Sequence, residues 1–253
     1  MSEVKTILIT GANGKVGRRI TGRFIADGHT VIATSRRTEA LTELAAHFKS
    51  GPGRIEGIVA DITDGGGSAL ARELASRDIR PDVVINNAID LGNQKLPDNG
   101  QPDASQWHRE FDLAVIAPYE LTMAIAKASG SRLRAVVNIS SMYGVVARTP
   151  GLYEDSLHQS PIHYGVAKAA MLHLTKELAV RLAPSGVRVN AVSFGGIEGR
   201  VDPSFKQRYA RLTPSGRMLS EDEVAGSVAF LISDDASSMI GHNLIVDGGW
   251  SVW

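Results

Sequence analysis

The chain has 253 residues, 43% of them apolar, with 27 Lys and Arg against 27 Asp and Glu and no cysteine. That length holds one large α/β domain or two small ones, with enough apolar residues for a sizeable core. Zero net charge speaks against a general nucleic-acid or acidic-membrane binder, and the lack of cysteine excludes disulfides, thiolate metal sites and a cysteine nucleophile.

In chain order, the first apolar run ends at Thr10. It is too short for a membrane span and lacks a signal-peptide cleavage pattern, so a cytoplasmic protein with no membrane partner is expected. Short apolar runs at 4–9, 31–34, 55–59, 83–85, 135–139, 187–192 and 244–246 predict buried strands. Between them, helical spacing predicts helices over 16–27, 39–49, 68–76, 104–129, 162–182 and 221–233. Runs apolar at nearly every position suit parallel strands covered on both faces. Alternation of strand and helix predicts an α/β fold: a doubly wound parallel sheet in a single domain, helices on both faces. Segments 91–103, 142–161 and 194–220 exceed what the connections need and are expected to build the substrate site.

The first strand leads into Thr10-Gly11-Ala12-Asn13-Gly14-Lys15-Val16-Gly17. Glycines there permit a tight turn and let backbone N–H groups approach a pyrophosphate, while the helix N-terminus adds partial positive charge. Glycine is also the default turn residue; the strand before and the helix after favour dinucleotide binding. Lys15 adds a charge near the loop. The second strand ends Ser35-Arg36-Arg37, without the carboxylate that would take the ribose 2′-hydroxyl of NAD. Ser35 and Arg36, with Arg37 able to share the role, suit the 2′-phosphate of NADP, although both arginines also fit a solvated helix start. NADP is favoured, with NAD possible. Asp61 suits either the adenine amino group or a cap for the following turn.

Tyr164 and Lys168 are four residues apart, on one face of the helix predicted over 162–182. A phenol with a normal pKa of about 10 is a poor base at neutral pH, and a neighbouring ammonium is expected to lower that value. The tyrosine would then give a proton to a nascent alkoxide or take one from an alcohol. Ser140 and Ser141 end the strand predicted at 135–139, where open α/β sheets bind ligands, and a hydroxyl there could stabilise charge on a substrate oxygen.

Together these residues resemble the short-chain dehydrogenase/reductase family. The resemblance runs from Thr10-Gly11 to Gly17 through Asp61, Asn86-Asn87-Ala88, Ser140-Ser141, Tyr164, Lys168 and Arg188-Val189-Asn190-Ala191-Val192-Ser193 to Val246-Asp247-Gly248-Gly249. It implies a Rossmann-like domain, a nicotinamide cofactor, and Ser141, Tyr164 and Lys168 as the catalytic set. It implies further cofactor contacts at Ile62, Asn87, Ala88, Gly195 and Ile197, and no metal. It also implies a homo-oligomer, dimer or tetramer, built through the two long helices and the C-terminal strand. Four positions depart from the pattern. Lys15 stands where glycine is usual, Ala114 falls where the family carries a catalytic Asn, Phe194 replaces a proline, and Ser141 and Tyr164 lie about ten residues further apart. The insert with Arg148, Tyr153, Glu154, Asp155 and His158 resembles a bacterial subgroup of flagellin modification and sugar biosynthesis. That implies a sugar-like substrate and a place in carbohydrate biosynthesis. Arg200, Lys206, Arg208 and Arg211 could then meet an anionic group, or form a solvated helix of mixed charge. The expected activity is hydride transfer between a nicotinamide cofactor and a carbonyl or secondary alcohol. The alternatives are a general carbonyl or 3-oxoacyl reductase, and a catalytically silent dinucleotide-binding regulator.

Overall fold

The computed structural model describes residues 3–199 and 201–253, with backbone alone at Ser156 and Leu157; Arg200 lies outside the described residues. Seven strands form one sheet: β1 (Thr6–Ile9), β2 (Thr30–Ser35), β3 (Arg54–Val59), β4 (Val83–Asn86), β5 (Ala135–Ser141), β6 (Arg188–Phe194) and β7 (Asn243–Val246). Their order is β3-β2-β1-β4-β5-β6-β7, and every pair is parallel. The chain winds outward from β1 to β3, then crosses back to β4 on the other side of β1. That reversal opens a crevice beyond the carboxyl ends of β1 and β4.

The helices are α1 (Lys15–Ala26), α2 (Thr38–His47), α3 (Gly66–Ser76), α4 (Ala104–Phe111), α5 (Ala117–Lys127), α6 (Ser156–Gln159), α7 (Ile162–Leu182), α8 (Pro203–Leu212) and α9 (Val224–Ile232). Successive strand residues face opposite sides of a sheet, so β1 to β6 feed two cores, while β7 adds Leu244 and Val246 to one of them. Ile7, Ile9, Val83 and Ile85 meet Ile20 and Phe24 of α1, Leu41 and Leu44 of α2, and Val228 and Leu231 of α9. Leu8, Val84, Val136 and Val189 meet Leu70 and Leu74 of α3, Leu121 and Ile125 of α5, and Leu178 and Leu182 of α7. Each such side chain contributes roughly 1.5–3 kcal/mol on burial. Among the described residues no helix is long and apolar enough to cross a membrane.

All seven expected strands are present, but β3 is an edge strand and is not covered on both faces, since Glu56 and Val59 are exposed. The helix expected over 104–129 is two helices joined by a π turn, Asp112–Ile116. Pro118 explains the break. Proline lacks an N–H, and in a regular α-helix its ring meets the carbonyl four residues back, here that of Ala114. The stretch 194–220 is not wholly irregular, because α8 lies within it. Asp202 caps α8, its side chain accepting from the Phe205 N–H at 2.7 Å, and Pro203 takes the first helical position.

Candidate active site

A cleft of about 1460 Å³ opens at the carboxyl ends of the central strands. Every residue expected to contact cofactor or carry chemistry lines it: Gly11, Asn13, Gly14, Lys15, Val16, Gly17, Ser35, Arg36, Arg37, Asp61, Ile62, Asn87, Ala88, Ser141, Tyr164, Lys168, Gly195 and Ile197. The glycine loop forms its floor. Gly11 has φ +63°, and a Cβ there would lie 2.8 Å from Ala88 Cα; a Cβ on Gly17 would lie 2.4 Å from the Gly11 oxygen. Gly14, at the N-cap of α1, brings no side chain to the first turn, so its N–H groups face the cleft uncapped. Asn87 fixes the loop: its Nδ2 donates to the carbonyls of Thr10 (2.9 Å) and Gly11 (3.0 Å), while Thr10 Oγ accepts from the N–H groups of Asn87 and Ala88.

Lys15 does not point at the loop it follows. Its Nζ donates to the carbonyls of Glu198 (2.6 Å) and Ile197 (3.3 Å), fastening α1 to the segment after β6. Ser35 is buried and its Oγ accepts from the Arg37 N–H. Arg36 pairs with Asp90 at 3.2 Å, and Asp90 also takes Arg109 Nε at 2.9 Å. Asp61 is occupied by Thr63, accepting from its N–H (3.1 Å) and hydroxyl (2.7 Å). Burial alone would raise the Asp61 carboxyl, but those bonds and the charges of Arg109 and Arg36 hold it below its ordinary value.

At the other end stand Ser141, Tyr164 and Lys168. Ser141 closes β5, and its Oγ accepts from the Tyr143 N–H at 3.2 Å, which leaves the hydroxyl proton to donate elsewhere. Lys168 is buried, donates to the Ile139 carbonyl at 2.8 Å, and lies 5.8 Å from the centre of the Tyr164 ring. Burial pulls its ammonium down to about 8, against the opposing charge of Glu110. The expected lowering of the phenol is not found. Burial pushes Tyr164 up to about 12, outweighing a hydrogen bond with Ser141. With the ammonium held against the Ile139 carbonyl, desolvation dominates. Ala114 is buried in the π turn against Ala167 and Met171. Of the late-loop cations, Arg208 donates to the Leu152 carbonyl and pairs with Glu154, and Lys206 pairs with Glu198, so neither is held open for an anion.

The sequence reading missed Asp90, Gln94, Arg109 and Leu113, which line the cleft. Gln94 Nε2 is buried without a hydrogen-bond partner. Nearby, the hydroxyls of Tyr143 and Tyr153 are 2.5 Å apart. Burial and that pairing push the Tyr143 phenol up.

The parallel sheet, the bare glycine turn at its switch point and the Ser–Tyr–Lys set beside it define a nucleotide-binding α/β oxidoreductase. A family model described as enoyl-(acyl carrier protein) reductase matches residues 11–251. Galactitol 2-dehydrogenase of Rhizobium johnstonii is 32% identical over 254 residues, covering 97% of this chain and 95% of that protein. A 3-oxoacyl-acyl-carrier-protein reductase of Thermotoga maritima is 30% identical, covering 98% of each chain. The structure of a short-chain dehydrogenase from Leptospira borgpetersenii with bound NAD+ superposes with a TM-score of 0.84 at 28% identity, over 98% of this chain and 93% of that one. The chain belongs to the short-chain dehydrogenase/reductase family, and its activity is nicotinamide-dependent hydride transfer at a CH–OH or C=O group.

Proposed function

We propose that the protein is an NADP-dependent oxidoreductase of a polyhydroxylated, sugar-like substrate, with Ser141, Tyr164 and Lys168 as its catalytic residues. One observation carries this reading: a single cleft joins a bare glycine turn and Arg36 to the Ser141–Tyr164–Lys168 cluster. The loop fits a dinucleotide, since Gly11 and Gly14 leave backbone alone facing the pyrophosphate position. Gly11, Asn13, Gly14, Val16 and Gly17 would hold the phosphates, Arg36 and Arg37 a 2′-phosphate, Asp61 and Ile62 the adenine end, and Asn87, Ala88, Gly195 and Ile197 the remainder. The bound nicotinamide supplies or accepts the hydride.

In reduction, Tyr164 gives its phenolic proton to the substrate oxygen, with Lys168 one helical turn away in the same cleft; oxidation runs the same transfer in reverse. The Ser141 hydroxyl donates to the same oxygen and stabilises its developing charge. Segments 91–103, 142–161 and 194–220 form the substrate side. Gln94 lines the cleft and offers a donor to a substrate hydroxyl, which favours a polyol over a long acyl chain. The galactitol dehydrogenase relationship supports the same substrate class. A dimer or tetramer is supported by exposed apolar residues on α5 (Tyr119), α7 (Val166, Val180) and the open edge at β7 (Ile245).

NADPH absorbance, followed with ketoses, sugar phosphates and a 3-oxoacyl thioester, tests the reading. Turnover of a polyhydroxylated carbonyl, lost by about a hundredfold or more in Tyr164→Phe, is expected. Preference for the thioester overturns the substrate class, and undiminished Tyr164→Phe activity overturns the catalytic assignment.

A further inference from the structure

Gln94 lines the same cleft as Ser141 and Tyr164. Its side-chain Nε2 is buried and has no hydrogen-bond partner among the described residues. Leaving a buried donor unmade is costly, and native structures do so rarely. The residues on either side of Gln94 are held by one side chain, that of Gln106. Gln106 is the third residue of α4, and Asp103 is its N-cap. The Gln106 Oε1 accepts from the Asp103 N–H at 3.3 Å, and its Nε2 donates to the carbonyls of Asn93 (3.0 Å) and Lys95 (2.8 Å). Those partners assign the two ends of the amide, since only its oxygen can face an N–H and only its nitrogen a carbonyl.

Asn93 adds a second hold. It is buried, and its Nδ2 donates to the Gln106 carbonyl (3.0 Å) and to Glu110 Oε2 (2.9 Å). Its own carbonyl also accepts from the ring Nε2 of His163 at 2.9 Å. His163 is fully buried and precedes Tyr164 in α7. That carbonyl belongs to the peptide bond joining Asn93 to Gln94. Gln94 and Tyr164 are therefore each next in sequence to a partner of one hydrogen bond, and both residues line the cleft. A loop fixed in this way before substrate arrives loses little further freedom when it binds.

We propose that Gln94 determines specificity by donating through Nε2 to one substrate hydroxyl apart from the reacting carbonyl, and that Gln106 and Asn93 are positioning residues that hold it in register with Tyr164. The inference rests on the reading of the substrate as polyhydroxylated. A carbonyl compound lacking that hydroxyl leaves the amide unpaired once the substrate has excluded water, so the site selects against it.

The ketose turned over best and its mono-deoxy analogues are compared by kcat/KM with NADPH. In the wild type, removal of one hydroxyl should lower kcat/KM by about tenfold; in Gln94→Leu the parent and that analogue should react alike, with KM for NADPH unmoved. A raised KM for NADPH with the discrimination intact would assign Gln94 to the cofactor and overturn the proposal. Gln106→Glu keeps the cap to the Asp103 N–H and sets an oxygen against the Asn93 and Lys95 carbonyls, while Gln106→Ala removes cap and clasp together. Both should lose the discrimination, and neither should change it further in the Gln94→Leu background; discrimination kept in Gln106→Glu would leave Gln106 a helix cap only. The clasp is also read without substrate. The side-chain ¹⁵Nε2 resonance of Gln94, assigned by its loss in Gln94→Leu, should be narrow in the NADPH complex and broadened in Gln106→Glu; an unchanged resonance overturns the clasp. Turnover confined to a 3-oxoacyl thioester, with that resonance behaving as expected, overturns the polyhydroxylated substrate and the hydroxyl contact and leaves the clasp. Turnover of a ketose whose mono-deoxy analogues lose as much in Gln94→Leu as in the wild type overturns the proposal and leaves the substrate class.

Discussion

Arg36 leaves the end of β2 with half its side chain exposed, and its guanidinium is shared with Asp90. Burial would raise the Asp90 carboxyl, but the hydrogen bond from Arg109 and the charge of Arg36 outweigh it and hold Asp90 below its ordinary value. A 2′-phosphate arriving at Arg36 therefore competes with an ionised carboxylate. A charge-assisted hydrogen bond contributes about 1.5–3 kcal/mol, so Arg36→Ala should raise KM for NADPH by about tenfold to a hundredfold while changing KM for NADH little. Asp90→Asn should act oppositely, lowering KM for NADPH by freeing the guanidinium. Steady-state kinetics with both cofactors decides; equal effects on NADPH and NADH would remove Arg36 from the 2′-phosphate site. Ser35 and Arg36 could be placed at the cleft from the sequence because they adjoin the end of the strand that follows the glycine loop and its helix. Asp90 and Arg109 could not, because their pairing exists only where the ends of β2 and β4 meet α4. Glu110 was hidden for a related reason: an acidic residue in a helical stretch reads as a solvated face until the packing against α7 is known.

Lys15 ties two elements that sequence distance separates by more than 180 residues: α1, and the segment between β6 and α8. Salt bridges from Arg19 to Glu221 and Asp222 make a second tie between α1 and the turn before α9. Lys15, Arg19, Ile197 and Glu221 all line the cleft, so cofactor exchange is expected to part these ties. Lys15 is exposed and its bonds are to neutral carbonyls, so Lys15→Met should cost about 1 kcal/mol of closure. Cofactor dissociation measured by stopped flow should quicken about fivefold, with the melting temperature nearly unchanged; an unchanged rate would show that the cleft exchanges cofactor without parting there. The sequence placed Lys15 at the loop but could not aim it, since its partners are backbone carbonyls, and carbonyls carry no residue pattern. Strands were the most legible elements, because a run buried on both faces is apolar at every position. β3 shows the limit: its edge place is decided by sheet order. The π turn was marked by Pro118 inside an otherwise helical pattern, and α8 by Asp202-Pro203 ahead of it.

The whole molecule carries the site at a cost to its stability, and the pH dependence of unfolding should reveal it. Lys168 titrates at about 8 in the folded chain, against about 10.4 for an unperturbed lysine. Below pH 8 the unfolded chain binds that proton more tightly than the fold does, so burial of the ammonium destabilises the native state there. As pH rises from 8 towards 10.4, the unfolded form alone still holds the proton, and the penalty fades. Tyr164 has the opposite sign. Its phenol is held up at about 12 in the fold, so above about 10 the unfolded chain releases a proton that the native chain keeps, and stability falls. Lys168→Met removes the first of these terms and leaves the second. Its stability relative to wild type should therefore be most favourable near pH 7 and decline by about 2 kcal/mol by pH 9.5, while hydride transfer is lost throughout. Loss of the bond to the Ile139 carbonyl offsets the whole comparison by a constant and does not alter that slope. Urea unfolding of both proteins at a series of pH values measures the difference directly. A difference independent of pH between 7 and 9.5 would mean that Lys168 keeps an ordinary ammonium in the fold, and with it would go the account of why burial rather than the lysine sets the phenol of Tyr164.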